Sequence, residues 1–123
     1  MAFVECNGRT IGYDDSGEAD LPAMLFAHPL GMSRQVWTEV TTRLRGRWRC
    51  IAWDLPGHGN SAPVAHALSA HDLAADAQAV LAHLHIERCT FVGTSIGGVI
   101  GQALLLDAPT LLSCMVLTNT GAI

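Results

Sequence analysis

Phe91-Val92-Gly93-Thr94-Ser95-Ile96-Gly97-Gly98 is the stretch on which the reading of this chain turns. An apolar, β-prone run from Cys89 to Val92 enters a G-x-S-x-G turn, and the turn opens into a long apolar segment of helical character. A serine on a sharp strand-to-helix bend projects its hydroxyl out of the backbone, and glycines at the flanking positions tolerate the close chain approach. The helix that follows aims unpaired N–H groups and the positive end of its dipole at the same spot, which stabilises an oxyanion beside Ser95. With Gly and Ser at about 7% of residues each, chance alone supplies one such pattern in a chain this long about 4% of the time. The strand before it and the helix after it decide against accident. The sequence predicts a nucleophile elbow.

The rest of the composition narrows the setting. The chain has 123 residues, enough for one domain with a buried core, and at 50% hydrophobic and 15% charged it reads as globular. A net charge of −4 without any basic cluster argues against nucleic acid or an anionic membrane as partner. All 7 basic residues are Arg, so neither a Walker A phosphate loop nor a Schiff-base lysine is available. No uninterrupted apolar run is long enough to span a membrane, and Met1-Ala2-Phe3-Val4-Glu5 lacks the features of a signal peptide, so a cytoplasmic location is expected. Cys6, Cys50, Cys89 and Cys114 form no C-x-x-C pair; buried free thiols are the expectation, with disulfides or zinc as alternatives.

Along the chain, Phe3 to Cys6, Asn7-Gly8 and Arg9 to Asp14 predict a β-hairpin with a tight turn. Pro22 to Ala27 is a short apolar strand broken by His28-Pro29-Leu30-Gly31. Ser33 is the N-cap of a helix reaching Leu44, with Val36, Trp37, Val40 and Leu44 on one face. Arg49 to Trp53 is the next strand. Ser69 and Asp72 form a capping box that opens a helix to about His83. Cys89 to Val92, Ile96 to Leu106 and Leu112 to Thr118 then read as strand, helix and strand. Strands alternating with helices give an α/β fold of parallel βαβ units, helices on both faces, behind an N-terminal hairpin.

In such a sheet ligands sit at the carboxyl ends of the strands, where His28 to Gly31, Asp54 to Gly59 and Gly93 to Gly97 converge. With these loops the chain resembles the α/β-hydrolase family over almost its whole length. The resemblance is carried by His28-Pro29-Leu30-Gly31, Asp54-Leu55-Pro56-Gly57-His58-Gly59-Asn60-Ser61, the Gly93 to Gly98 elbow and Val116-Leu117-Thr118-Asn119-Thr120. Within the family, Ile100-Gly101-Gln102 beside these motifs is most similar to the 3-oxoadipate enol-lactonase group.

The resemblance implies Ser95 as nucleophile and the backbone N–H groups of Ile96 and Leu30 as the oxyanion hole, since Pro29 has no N–H to offer. His28, Gly31, Gly93 and Gly97 would shape the surrounding loops, His28 in a buried structural role rather than a catalytic one. Trp37 and Leu30 could line an apolar pocket, although a Trp on a helix face is more often simply core. Asp54 invites reading as a catalytic acid; in relatives the matching residue braces the loop after the fourth strand, and His58 belongs to the same turn. His83 and His85, two apart on one helix, would point to different faces and face solvent with His66 and His71. Neither a metal site nor a dinucleotide motif is visible, so no cofactor is expected.

The family's histidine base and orienting acid follow the serine. Here no histidine follows Ser95, and the one later acid, Asp107, lies about 18 Å along the exit helix at 1.5 Å per residue. The expectation is a single hydrolase core domain over residues 1–123, an N-terminal half that stops before the lid and the catalytic acid and base. Two functions fit. One is the nucleophile-bearing half of a serine hydrolase for a small ester or lactone, an enol-lactone included. The other is a non-catalytic binding domain, or one half of a two-chain assembly. Either way the chain alone should be catalytically weak. It should also associate, through a second copy or a C-terminal segment, at the Leu112 to Thr118 edge and the all-round apolar exit helix.

Overall fold

Asn7 and Gly8 take φ values of 52° and 81°, the two left-handed residues that a tight hairpin turn requires. They close β1 (Ala2–Cys6) onto β2 (Arg9–Asp15). The computed structural model describes residues 1–122, and these form one six-stranded sheet in the order β1-β2-β4-β3-β5-β6. The strands β3 (Ala23–Ala27), β4 (Arg49–Trp53), β5 (Cys89–Thr94) and β6 (Leu112–Thr118) are mutually parallel, and β2 joins β4 antiparallel. The fold is thus the α/β architecture that the sequence predicts. In the register, Ala27 lies opposite both Trp53 and Gly93. The loops that leave β3, β4 and β5 therefore emerge side by side.

Alternation along β3 divides the core in two. Leu25 and Ala27 face the larger cluster, filled by Ile51, Trp53 and Phe91 and covered by α2 (Ala70–His83) and α3 (Ile96–Asp107). Phe26 faces the other way, with Cys50 and Ala52, under α1 (Thr38–Leu44). The capping box that starts α2 is present: the Ser69 side chain accepts from the Asp72 N–H, and the Asp72 carboxylate accepts from the Ser69 N–H. The hairpin is tied to α2 by Asp76, fully buried, which receives Arg9 Nη2 at 2.7 Å and Asn7 Nδ2 at 2.9 Å.

Three expectations need correction. The stretch from Ser33 to Leu44 is not one helix. Ser33 caps a 3-10 turn, Arg34–Trp37, and α1 begins only at Thr38. The tighter winding rotates the apolar stripe out of phase, so Trp37 and Leu44 pack inward while Val36 and Val40 stay 46% and 42% exposed. His85 does not share a helix with His83. It follows the end of α2 at φ 56°, the left-handed position that closes many helices. Cys6, Cys50 and Cys89 are buried free thiols, but Cys114 is exposed, on β6, which among the described residues pairs with β5 alone and ends the sheet. Among the described residues no helix is long and apolar enough to cross a membrane.

Candidate functional site

Ser95 links β5 to α3 at φ 58°, ψ −122° and is exposed. A residue other than glycine gives up about 1–3 kcal/mol to hold such a conformation, so the surroundings must over-determine it. They do. The Ser95 N–H donates to the Thr118 carbonyl at 3.0 Å. The Ser95 carbonyl accepts from the N–H groups of Gly98 (2.9 Å) and Val99 (3.3 Å) and from Thr120 Oγ1 (2.9 Å). Among the described residues no hydrogen bond engages the Ser95 hydroxyl. The flanking glycines are needed for approach: a Cβ on Gly93 would overlap the Gly97 carbonyl, and one on Gly97 would overlap the Ala27 carbonyl. That second contact seats the first turn of α3 on the end of β3. The N–H groups of Ile96 and Gly97 lead the helix, where no intrahelical acceptor exists for them.

Across from the elbow, the loop after β3 carries His28, Pro29, Leu30 and Gly31. His28 is fully buried; its Nε2 accepts the Leu55 N–H at 3.0 Å, which leaves Nδ1–H to donate to the Pro29 carbonyl at 2.7 Å. Burial pushes the His28 pKa below the ordinary histidine value, outweighing the opposing pull of the Pro29 carbonyl. With both ring nitrogens committed to backbone, His28 has no lone pair with which to deprotonate Ser95. Leu30 stands at the loop tip, 72% exposed, and no hydrogen bond among the described residues takes up its N–H. Gly31 follows at φ 79°.

Asp54, fully buried after β4, is a brace. It accepts from the Arg34 N–H (2.7 Å), from Arg34 Nη1 (2.5 Å) and from the Asn60 N–H (2.9 Å). Arg34 in turn holds Asp14 and Asn60 Oδ1, each at 2.9 Å. Trp37 is half-buried with its ring 5.2 Å from Phe26, within the α1-side core. Asp107 ends α3 at the far pole from Ser95 and pairs with His71 at 2.7 Å. Cavities of about 350 and 640 Å³ elsewhere are lined by neither Ser95, Leu30, Ile96 nor His28. Among the described residues no cluster of His, Cys, Asp and Glu could hold a metal.

The structure thus brings Ser95, Ile96, Gly93, Gly97, Leu30, Gly31 and His28 to one rim and leaves Trp37 in the core. Sequence reasoning missed Arg34, Thr118 and Thr120. Arg34 carries no motif, and its position directly after the Ser33 cap was the one available hint. Thr118 acts through its backbone carbonyl and Thr120 through its hydroxyl, and only the pairing of β6 beside β5 brings either to Ser95.

A model of the alpha/beta hydrolase fold matches residues 22–122. The chain is 32% identical over 112 residues to 3-oxoadipate enol-lactonase 2 of Acinetobacter baylyi, covering 91% of this chain and 42% of that protein. It is 36% identical over 96 residues to the magnesium-chelatase 30 kDa subunit of Rhodobacter capsulatus, covering 77% and 34%. Among solved structures, Est816, described as an N-acyl homoserine lactone degrading enzyme, superposes with a TM-score of 0.93 at 34% identity, covering 98% of this chain and 46% of that one. The chain spans less than half the length of each of these relatives.

Proposed function

The chain belongs to the alpha/beta hydrolase fold family, and from that premise we propose that it carries the nucleophile and oxyanion donors of a hydrolase for small esters or lactones, an enol-lactone among them. The observation that carries the reading is Ser95: a non-glycine residue held at φ 58°, exposed, with its N–H and carbonyl bonded and no hydrogen bond among the described residues on its hydroxyl. Likeness to an enol-lactonase and to a lactone-degrading enzyme supports the substrate class. In the proposed mechanism Ser95 Oγ attacks the acyl carbon and its proton passes to a base. The N–H groups of Leu30 and Ile96 take the negative charge of the tetrahedral oxygen, and the alcohol or enolate leaves. Water then cleaves the acyl-serine. Both ring nitrogens of His28 are bonded to backbone, which speaks against His28 as that base, and our proposal looks for the base on a segment or chain outside these residues. The outer edge of β6 is where we propose that such a segment or chain would pair.

Incubation of the 123-residue chain with p-nitrophenyl acetate, followed by mass spectrometry, tests this. We expect slow acetylation at Ser95, absent from Ser95→Ala, and turnover well below ordinary enzyme rates, because triad-less sites retain only oxyanion and binding effects. Fast, Ser95-dependent turnover would mean that a base lies within the chain. An unmodified Ser95 would instead favour the second reading, a non-catalytic assembly domain, to which the likeness to a magnesium-chelatase subunit lends support.

A further inference from the structure

Leu30 is the more exposed of the two oxyanion donors, and nothing buries the segment around it: Leu30 and Met32 are 72% and 53% exposed. Hydrogen bonds must fix its direction. Each trans peptide is planar, with its C=O and N–H antiparallel, so pinning one pins the other. The Pro29–Leu30 peptide, which owns the Leu30 N–H, is pinned through the Pro29 carbonyl. That oxygen receives His28 Nδ1–H at 2.7 Å and the Met32 N–H at 3.2 Å. The Leu30–Gly31 peptide is pinned at its other end, where the Gly31 N–H donates to His58 Nε2 at 2.9 Å. An N–H can only donate, so His58 Nε2 carries a lone pair and Nδ1 carries the proton, 3.0 Å from the Pro56 carbonyl. The two imidazoles lie 5.1 Å apart, each bridging the loop after β3 and the turn after β4.

We propose that His58 is a positioning residue for the site, a neutral imidazole latch that accepts the Gly31 N–H, fixes the peptide after Leu30 and so anchors Leu30 from the side that the Pro29 carbonyl bonds leave free, steadying the Leu30 N–H beside Ser95. This rests on the Ser95, Leu30 and Ile96 reading above, and it assigns a task to a histidine that the sequence places only within a turn. Arg34 and Asp54 fix the turn that carries His58, through the Asn60 N–H and Oδ1. The latch is therefore set by the same network that anchors β4. Without it the Leu30–Gly31 peptide is free to turn and Leu30 Cα loses its downstream anchor, so the adjoining Pro29–Leu30 peptide can shift on its carbonyl bonds; a donor displaced by an ångström loses most of its value in the transition state.

The test has two arms on the 123-residue chain. In the first, acetylation of Ser95 by p-nitrophenyl acetate is timed for wild type, H58F and H58Q. Phe keeps the ring volume and deletes the acceptor, whereas Gln offers Oε1 close to where Nε2 stood. H58F should slow acetylation about 10-fold or more, and H58Q should recover to within about 3-fold of wild type. Equal rates for folded H58F and wild type would overturn the latch, as would H58Q being as slow as H58F. In the second arm, imidazole ¹⁵N spectra report the tautomer directly. The Nδ1–H form, with a Gly31 amide resonance that moves in H58F and returns in H58Q, supports the proposal. The Nε2–H form overturns it, because that nitrogen then cannot accept. The second arm decides even if H58F fails to fold or if wild-type Ser95 stays unmodified. The latter result strikes the hydrolase reading and leaves the latch standing on its spectra.

Discussion

The rim above β3, β4 and β5 and the outer edge of β6 are made from similar apolar strands and finished in opposite ways. On the rim, every group that sets geometry is bonded within the chain: Asp54 takes three donors, His28 and His58 use both ring nitrogens, and Ser95 is held through N–H and carbonyl alike. Along β6, pairing among the described residues stops at β5, and Ser113, Cys114, Val116 and Thr118 are exposed with no charge among them. Leu105 and Leu106, at the far end of α3, are exposed as well, at 43% and 65%. The opposite edge, β1, at least carries Glu5. A rim that satisfies itself can position a serine without help. A long uncharged edge strand is a template for another strand.

The largest test of that contrast is Asp54→Ala. It leaves the Arg34 guanidinium, 7% exposed, without its buried partner, and should cost about 3–5 kcal/mol in urea unfolding. A loss below about 1 kcal/mol would show that the rim is not held together by this network. Gly97→Ala comes next. Its Cβ would meet the backbone carbonyl of Ala27, which cannot rotate aside as a side chain can, so about 1–3 kcal/mol and a displaced elbow are expected. A variant of wild-type stability would mean that α3 can slide without disturbing Ser95.

A third, smaller effect is set by protons. His28 is buried neutral, with a pKa pushed below its usual 6.5, so the unfolded chain binds a proton more readily than the folded one. Stability from this group is therefore complete above about pH 6.5 and is lost as pH falls from there through the folded-state value. Denaturant midpoints measured from about pH 7.5 down to 5 should fall, and His28→Gln should flatten part of that slope. A His28→Gln chain with an unchanged slope would place the acid-sensitive group elsewhere.

Much of this was legible in the sequence because local chemistry decided it. Asn7-Gly8 has one good use between two strands, Ser69 with Asp72 closes on itself within one turn, and the glycines about Ser95 announce a close approach. What stayed hidden depended on partners distant in sequence. Arg34 matters because Asp14, Asp54 and Asn60 surround it, and Thr120 because β6 brings it back to the Ser95 carbonyl. The segment after Ser33 hides its break for a different reason: its apolar residues fit a 3.6-residue period although its first turn winds at 3.0. His58 carries nothing in the sequence to distinguish it from a turn residue, since its value lies in a lone pair that meets the Gly31 N–H.

The smallest effect on stability tests the other half of the comparison. Val116 sits mid-strand on β6 at 45% exposure, so Val116→Lys should leave the unfolding free energy within about 0.5 kcal/mol. Its effect on association should be much larger, because a charge on an edge strand is how sheets avoid pairing with one another. Cys114, two residues away, serves as the reporter. It is exposed, whereas burial raises the thiols of Cys6 and Cys89 to about 11 and that of Cys50 in the same direction. The buried thiols therefore offer almost no thiolate near neutrality, and a disulfide reagent added to native, dilute protein should consume Cys114 first. If a second copy takes the β6 edge, that reaction should slow as protein concentration rises, and light scattering should report a dimer over the same range. Val116→Lys should restore fast labelling at high concentration. Labelling that is independent of concentration, with a monomer throughout and no binding of an added C-terminal fragment from a full-length relative, would refute a strand partner at this edge and leave β6 finished by water alone.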